Sequence, residues 1–155
     1  MIKITDILES IADSIEASAD VQTILKRYEG AVRILEGKLA VEEAQVDDKR
    51  VTISIAAPDA YDMGYIQTRQ APVTVRVDMY DNEIDSDGIR EKYTGVINAT
   101  NLMHYIAEAV SGISQLGNDV LAARVSVDTE RWPVITGTAE FSIDWPVGLN
   151  QEATL

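Results

Sequence analysis

His104 is the single histidine of this 155-residue chain, and there is no cysteine. Those two facts narrow the available chemistry. Without thiols there is no thiolate nucleophile, no disulfide framework and no cysteine-ligated zinc, and the chain fits a reducing compartment. His104 lies one position off the apolar stripe of a helix, beside Tyr105. No serine elbow or triad spacing supports it, so it reads as a surface or boundary residue rather than a general base. There is no G-x-S-x-G, P-loop or G-x-G-x-x-G. Carboxylates are abundant enough that a pair of them carries no information. A glycosidase cleft would also need aromatic platforms, and both tryptophans stand beside prolines, in Trp132-Pro133 and Trp145-Pro146.

Three further patterns point to binding. Glu83-Ile84-Asp85-Ser86-Asp87-Gly88 resembles the opening of a calcium loop, with oxygen ligands at positions one, three and five and glycine at six. Thr94 stands where the bidentate glutamate belongs, which favours an ordinary acidic turn. Asn98-Ala99-Thr100 matches a glycosylation sequon but sits where a helix cap is expected. The segment from Ala57 to Pro72 carries Tyr61, Met63, Tyr65, Ile66 and Arg69 at what strand logic makes a loop. These residue types are enriched at protein interfaces, which makes the five candidate interface residues. A loop folded back over its own core is the competing reading. No metal or cofactor is expected.

The elements that must hold these residues belong to one globular domain, expected over 1–147 with a short tail at 148–155. Hydrophobic residues make up 46% of the chain, enough for a core without staples. The charge is −13, from 13 basic and 26 acidic residues. Such a chain repels phosphate, so non-specific nucleic-acid binding and anionic membrane surfaces are both disfavoured. The acidity serves either plain solubility or a surface that must stay near DNA, or near itself, without sticking. The first residues show no signal-peptide pattern, and no run approaches the length of a membrane span.

Periodicity places the elements. Ile4, Ile7, Leu8, Ile11 and Ile15 form one face of a helix, with Asp6, Glu9, Asp13 and Glu16 opposite. Ser18-Ala19-Asp20 is expected to end it, and a short helix follows from Val21 to Tyr28. Residues 31–50 suit either a helix over Leu39–Ala44 or a hairpin turning at Glu36-Gly37-Lys38, and the strands are preferred. Val51, Ile53 and Ile55 mark a strand, as do Val73, Val75, Val77 and Met79 after Pro72. Residues 81–91 read as an acidic loop and 93–97 as extended. Asn98 or Thr100 then caps a helix with Leu102, Tyr105, Ile106, Ala109, Val110 and Ile113 on one stripe, ending at Gly117-Asn118. Leu121–Val127 and Ile135–Trp145 alternate as two last strands. Clean alternation with no regular βαβ order predicts an α+β fold, a mostly antiparallel sheet with two main amphipathic helices on one face.

This order of elements resembles the tail terminator, or tail completion, proteins of long-tailed bacteriophages. The resemblance spans roughly residues 1–147 and rests on the N-terminal amphipathic helix, the Val51–Ile55 and Val73–Met79 strands with their long connection, the Asn98–Leu116 helix and the final strand pair to Trp145. It implies a structural virion protein of the tail or neck, assembled in the host bacterial cytoplasm, and no enzyme. It further implies a homo-oligomeric ring, six in related proteins, that caps the tail tube protein and joins the head connector while DNA passes without specific binding. A different neck or head-completion subunit is the alternative, and a small-ligand-binding or enzymatic domain comes after it. An acidic channel wall would follow, with Asp78, Asp85, Asp87, Asp128, Glu140 and Asp144 as candidate lumen-facing groups.

Overall fold

Strands with alternating apolar residues must bury one face, and here they bury it against three helices. The computed structural model describes residues 4–40, 49–57, 68–113 and 120–146. The fold is α+β. Helices α1 (Ile4–Ala17) and α2 (Ala19–Leu25) are followed by a 3₁₀ turn (Lys26–Tyr28), then β1 (Val32–Glu36), β2 (Arg50–Ala56) and β3 (Thr68–Tyr80). Next come β4 (Ile84–Asp87), β5 (Arg90–Tyr93), α3 (Thr94–Ser111), β6 (Val120–Asp128) and β7 (Val134–Pro146). Five strands form one mixed sheet in the order β1-β2-β3-β7-β6, and β4-β5 form a separate hairpin. Only β1 and β2 pair in parallel; the other pairings are antiparallel.

The core lies between helices and sheet. Ile7, Leu8, Ile11 and Ile15 of α1 and Leu102, Met103, Ile106 and Val110 of α3 pack against Val51, Ile53 and Ile55, against Val73, Val75, Val77 and Met79, and against Ile135, Ala139 and Phe141. Burial of such side chains stabilises a fold by about 1.5–3 kcal/mol each. Gly137 admits α3 to the sheet, because a Cβ there would meet the Met103 side chain at 2.6 Å.

Several local expectations change. Ser18 does not simply end α1; its side chain accepts from Val21 N–H at 3.3 Å and caps α2. The hairpin at residues 36–38 does not form. Gly37 takes φ +97° and donates to the Ile55 carbonyl, so β1 pairs with β2 in parallel. Leu39 and Ala40 then cross the far face of β2, where Ala40 N–H reaches Ser54 Oγ at 3.2 Å and Arg76 donates to the Ala40 carbonyl. Ser54, in contact with this segment, is buried although it lies on the polar side. Residues 41–48 lie outside the described residues. Pro72 sits inside β3 rather than before it, opposite Ser142. Pairing with β2 stops at Ala56–Thr74, so a residue without an N–H is tolerated there.

The helix α3 starts at Thr94, not near Asn98 or Thr100. Asn98 is a buried helical residue, and Thr100 bonds back to the Val96 carbonyl. Of the segment 93–97, only Tyr93 is extended, as the last residue of β5; 94–97 are helical. Gly112 is the C-cap of α3; Gly117 and Asn118 lie outside the described residues. Residues 81–91 are not a loop, since β4 and β5 occupy most of them.

Candidate functional site

The densest polar chemistry lies at the base of the β4–β5 hairpin. Tyr28 ends the 3₁₀ turn, Asp81 follows β3, and Asn98 sits on the first turns of α3. Tyr28 Oη donates to Asp81 Oδ2 at 2.6 Å and accepts from Asn98 Nδ2 at 3.0 Å. Arg27 donates to Asn98 Oδ1 at 2.6 Å. Asp81 Oδ1 accepts the Glu83 N–H at 3.0 Å and lies 3.9 Å from Lys49 Nζ, which also pairs with Glu83. Gly95 makes room for this, because a Cβ there would sit 2.5 Å from Asp81 Cβ. Burial pushes the Tyr28 hydroxyl well above the usual tyrosine range, and its bond to Asp81 adds to the shift. The bond to Glu83 raises Lys49. Asp81 is 1% exposed, and Tyr28 and Asn98 are buried with it, so no substrate reaches the carboxylate. The cluster is an anchor. It ties hairpin, helix and sheet together and satisfies every polar group it buries.

The anchored hairpin stands in solvent, with all eight of its strand residues exposed. Asp87 and Arg90 face each other across a two-residue turn, as do Asp85 and Lys92. Gly88 supplies the positive φ of that turn, +61°. Ile89 at the tip is fully exposed, and Ile84 and Tyr93 are also open. Tyr93 meets the edge of Trp132 at 5.3 Å. Of the calcium-like spacing, Asp85 and Asp87 thus fall on a strand, each set opposite a cation, while Glu83 precedes it.

Three of the other candidate acidic groups, Asp78, Asp128 and Glu140, share the helix-free face of the sheet. Asp78 is half-buried, accepts from Arg76 Nε at 2.9 Å and from Thr136 Oγ1 at 3.3 Å, and faces Thr52 across β2. Asp128 is exposed and caps the turn after β6 through Glu130 N–H at 2.9 Å. Glu140 is exposed opposite Arg124. Asp144 lies in β7 opposite Gln70. The helix-free face of the sheet therefore sets Asp78, Asp128 and Glu140 against Arg76 and Arg124, which nearly balances it. Of the candidate interface residues, Tyr61, Met63, Tyr65 and Ile66 lie outside the described residues, and Arg69 is in β3 opposite Trp145.

The uniformly negative surface is elsewhere. Residues 4–25 hold Asp6, Glu9, Asp13, Glu16 and Asp20 and no lysine or arginine, and all five acids are exposed. His104 is exposed on α3, 2.9 Å from Glu108 and edge-on to Tyr105. Among the described residues no group of three potential ligands could hold a metal ion, and no helix is long and apolar enough to cross a membrane. A groove of about 650 Å³ runs between α1–α2 and the β1 edge, lined by Leu25, Lys26, Val32 and Ile34.

The anchor was not legible in the sequence. Its members lie 53 and 70 positions from Tyr28, and the available hints were single polar residues, such as Asp81, at the ends of apolar strands. Compared with protein-family models and with curated proteins, the chain matches none.

Proposed function

We propose that this chain is a structural subunit of a phage tail, a tail terminator that forms a ring of six on the end of the tail tube. It joins the tube to the head connector, lets DNA pass without binding it, and works by assembly rather than catalysis. The supporting observation is the arrangement of the elements. An amphipathic N-terminal helix, the β2–β3 pair, α3 and the β6–β7 pair follow in that order, with the helices on one face of the sheet, as the resemblance implies. The charge map refines the channel. The outer face of α1–α2 is the strongest phosphate-repelling surface, because the acids of the sheet and hairpin stand beside cations.

Light scattering of the purified chain, followed by electron microscopy with native tail tubes, tests this reading. A ring of six 17.0-kDa subunits seated on the tube end is expected. A chain that stays monomeric even beside tubes overturns it. Rings that bind the head connector but not the tube reassign the chain to another neck or head-completion role.

A further inference from the structure

The five-stranded sheet ends in two edges with no described strand beyond them, β1 and β6. Their directions follow from the pairings. β1 and β2 run one way, β3 reverses, β7 reverses again, and β6 runs opposite to β1. If a second copy is rotated about an axis along the strands, its β1 lies antiparallel to β6 of the first. That is the ladder type of every pairing in the sheet except β1–β2. The helices of both copies then share one side.

The side chains match in the same arrangement. On the helix side, β6 presents Val125 and Val127, opposite Ala139 and Gly137 of β7. Val125 is 43% exposed, which is high for a large apolar residue on a sheet. On the same side, β1 presents Val32 and Ile34, opposite Val51 and Ile53. Both line the 650 Å³ groove. On the opposite side, β1 presents Arg33, while β6 presents Asp128 across from the uncharged Thr136. Arg124 already has Glu140 as its cross-strand neighbour. Natural edges are usually blunted by proline, a bulge or charge. The bulge in β6 lies at Val120/Ala122, away from the matching stretch, and β1 has neither proline nor bulge.

We infer that β6 of one copy pairs antiparallel with β1 of the next, setting Ile34 opposite Val125 and Val32 opposite Val127, with Arg33 diagonal to Asp128. The contact is heterologous, so repeating it builds a ring when the rotation closes. It rests on the self-assembly part of the proposed function and is independent of the tail role.

The cysteine-free chain gives a clean test. Within one copy the two edges lie four strand spacings apart, about 19 Å, too far for a disulfide to bridge. Any bond between Cys at 34 and Cys at 125 is therefore intermolecular. Oxidised Ile34→Cys/Val125→Cys protein is expected to give a ladder of covalent oligomers on non-reducing gels. The two single variants should cross-link when mixed, as dimers, and not when oxidised alone. Arg33→Cys/Val125→Cys, with thiols on opposite faces, should give no ladder. Should Ile34→Cys/Val125→Cys misfold, Val125→Lys tests the same contact: the expected result is a shift from oligomer to folded monomer by light scattering and circular dichroism. Oligomers without the Ile34–Val125 ladder, or surviving Val125→Lys, overturn the contact and leave the ring reading standing. A wild-type chain that stays monomeric even beside tail tubes, with a double variant that gives no ladder, overturns both. A ladder from a protein that ignores tail tubes upholds the contact and removes the tail role.

Discussion

Helix α1 and the β4–β5 hairpin are both acidic stretches of sequence, yet the fold uses their charge in opposite ways. On α1 and the start of α2, acids recur three or four positions apart, at Asp6, Glu9, Asp13, Glu16 and Asp20, with no cation in the run. Helical geometry places the four on α1 along one exposed stripe, where like charges at this spacing repel, and Asp20 opens α2. In the hairpin, strand geometry puts Asp85 across from Lys92 and Asp87 across from Arg90, so the charge is cancelled locally. The apolar sides differ as well. The stripe is carried by a dry face that belongs to the core, whereas the hairpin is held mainly by hydrogen bonds at its base. Counting charges along a chain therefore does not locate its field; the period of the element that carries them does.

The largest way to break this contrast is from the dry side of α1. Ile11 is wholly buried, and Ile11→Ala is expected to cost about 2–5 kcal/mol, measured as a lower urea midpoint with the whole fold melting together. Next comes the hairpin anchor. Tyr28→Phe removes the hydroxyl that serves both Asp81 and Asn98, at an expected cost of about 1–3 kcal/mol. Hydrogen exchange should speed in β4–β5 and stay slow in α1. If α1 loses protection equally, the anchor is part of the global core.

The same residue sets an alkaline limit. The Tyr28 hydroxyl is held neutral in the fold above the ordinary value of 10.0, and Lys49 is raised above its usual 10.5. In both cases the native state keeps its proton longer than the unfolded chain. The associated stability is fully present below about pH 10 and falls as pH rises beyond it. Stability measured from pH 8 to 11 should drop at the alkaline end, and Tyr28→Phe should flatten that drop. An unchanged slope would show that Tyr28 does not control it.

The smallest effects sharpen the electrostatics. Asp13→Lys should stabilise the chain by about 0.2–0.5 kcal/mol at low salt by relieving repulsion along α1, while Lys92→Glu should destabilise the hairpin by a similar amount. Both shifts should shrink in high salt. Equal signs for the two would erase the contrast.

Much of the architecture was legible because it depends on periods within single segments. Val51–Ile55, Val73–Met79 and Ile135–Phe141 announce their buried faces, as does the α1 stripe. What was not legible depends on distant partners. The Thr94–Ile97 stretch, with its β-branched residues and Gly95, favours extended chain locally, and packing of Gly95 on Asp81 and Ile135 makes it helical instead. The hairpin escaped notice because its strands are polar on both faces and carry no apolar alternation. The parallel β1–β2 pairing leaves no local mark at all.

The central position of β3–β7 has a consequence for synthesis. Each of the 13 paired positions joins residues at least 54 apart, from Tyr80–Val134 out to Thr68–Pro146. Loop closure must come before that ladder can form. As the chain leaves the ribosome, β1, β2 and β3 emerge with one long side of β3 still without its neighbour. The middle of the sheet is thus among the last parts to be made, and a chain stopped before Val134 would expose its longest strand as an unpaired edge.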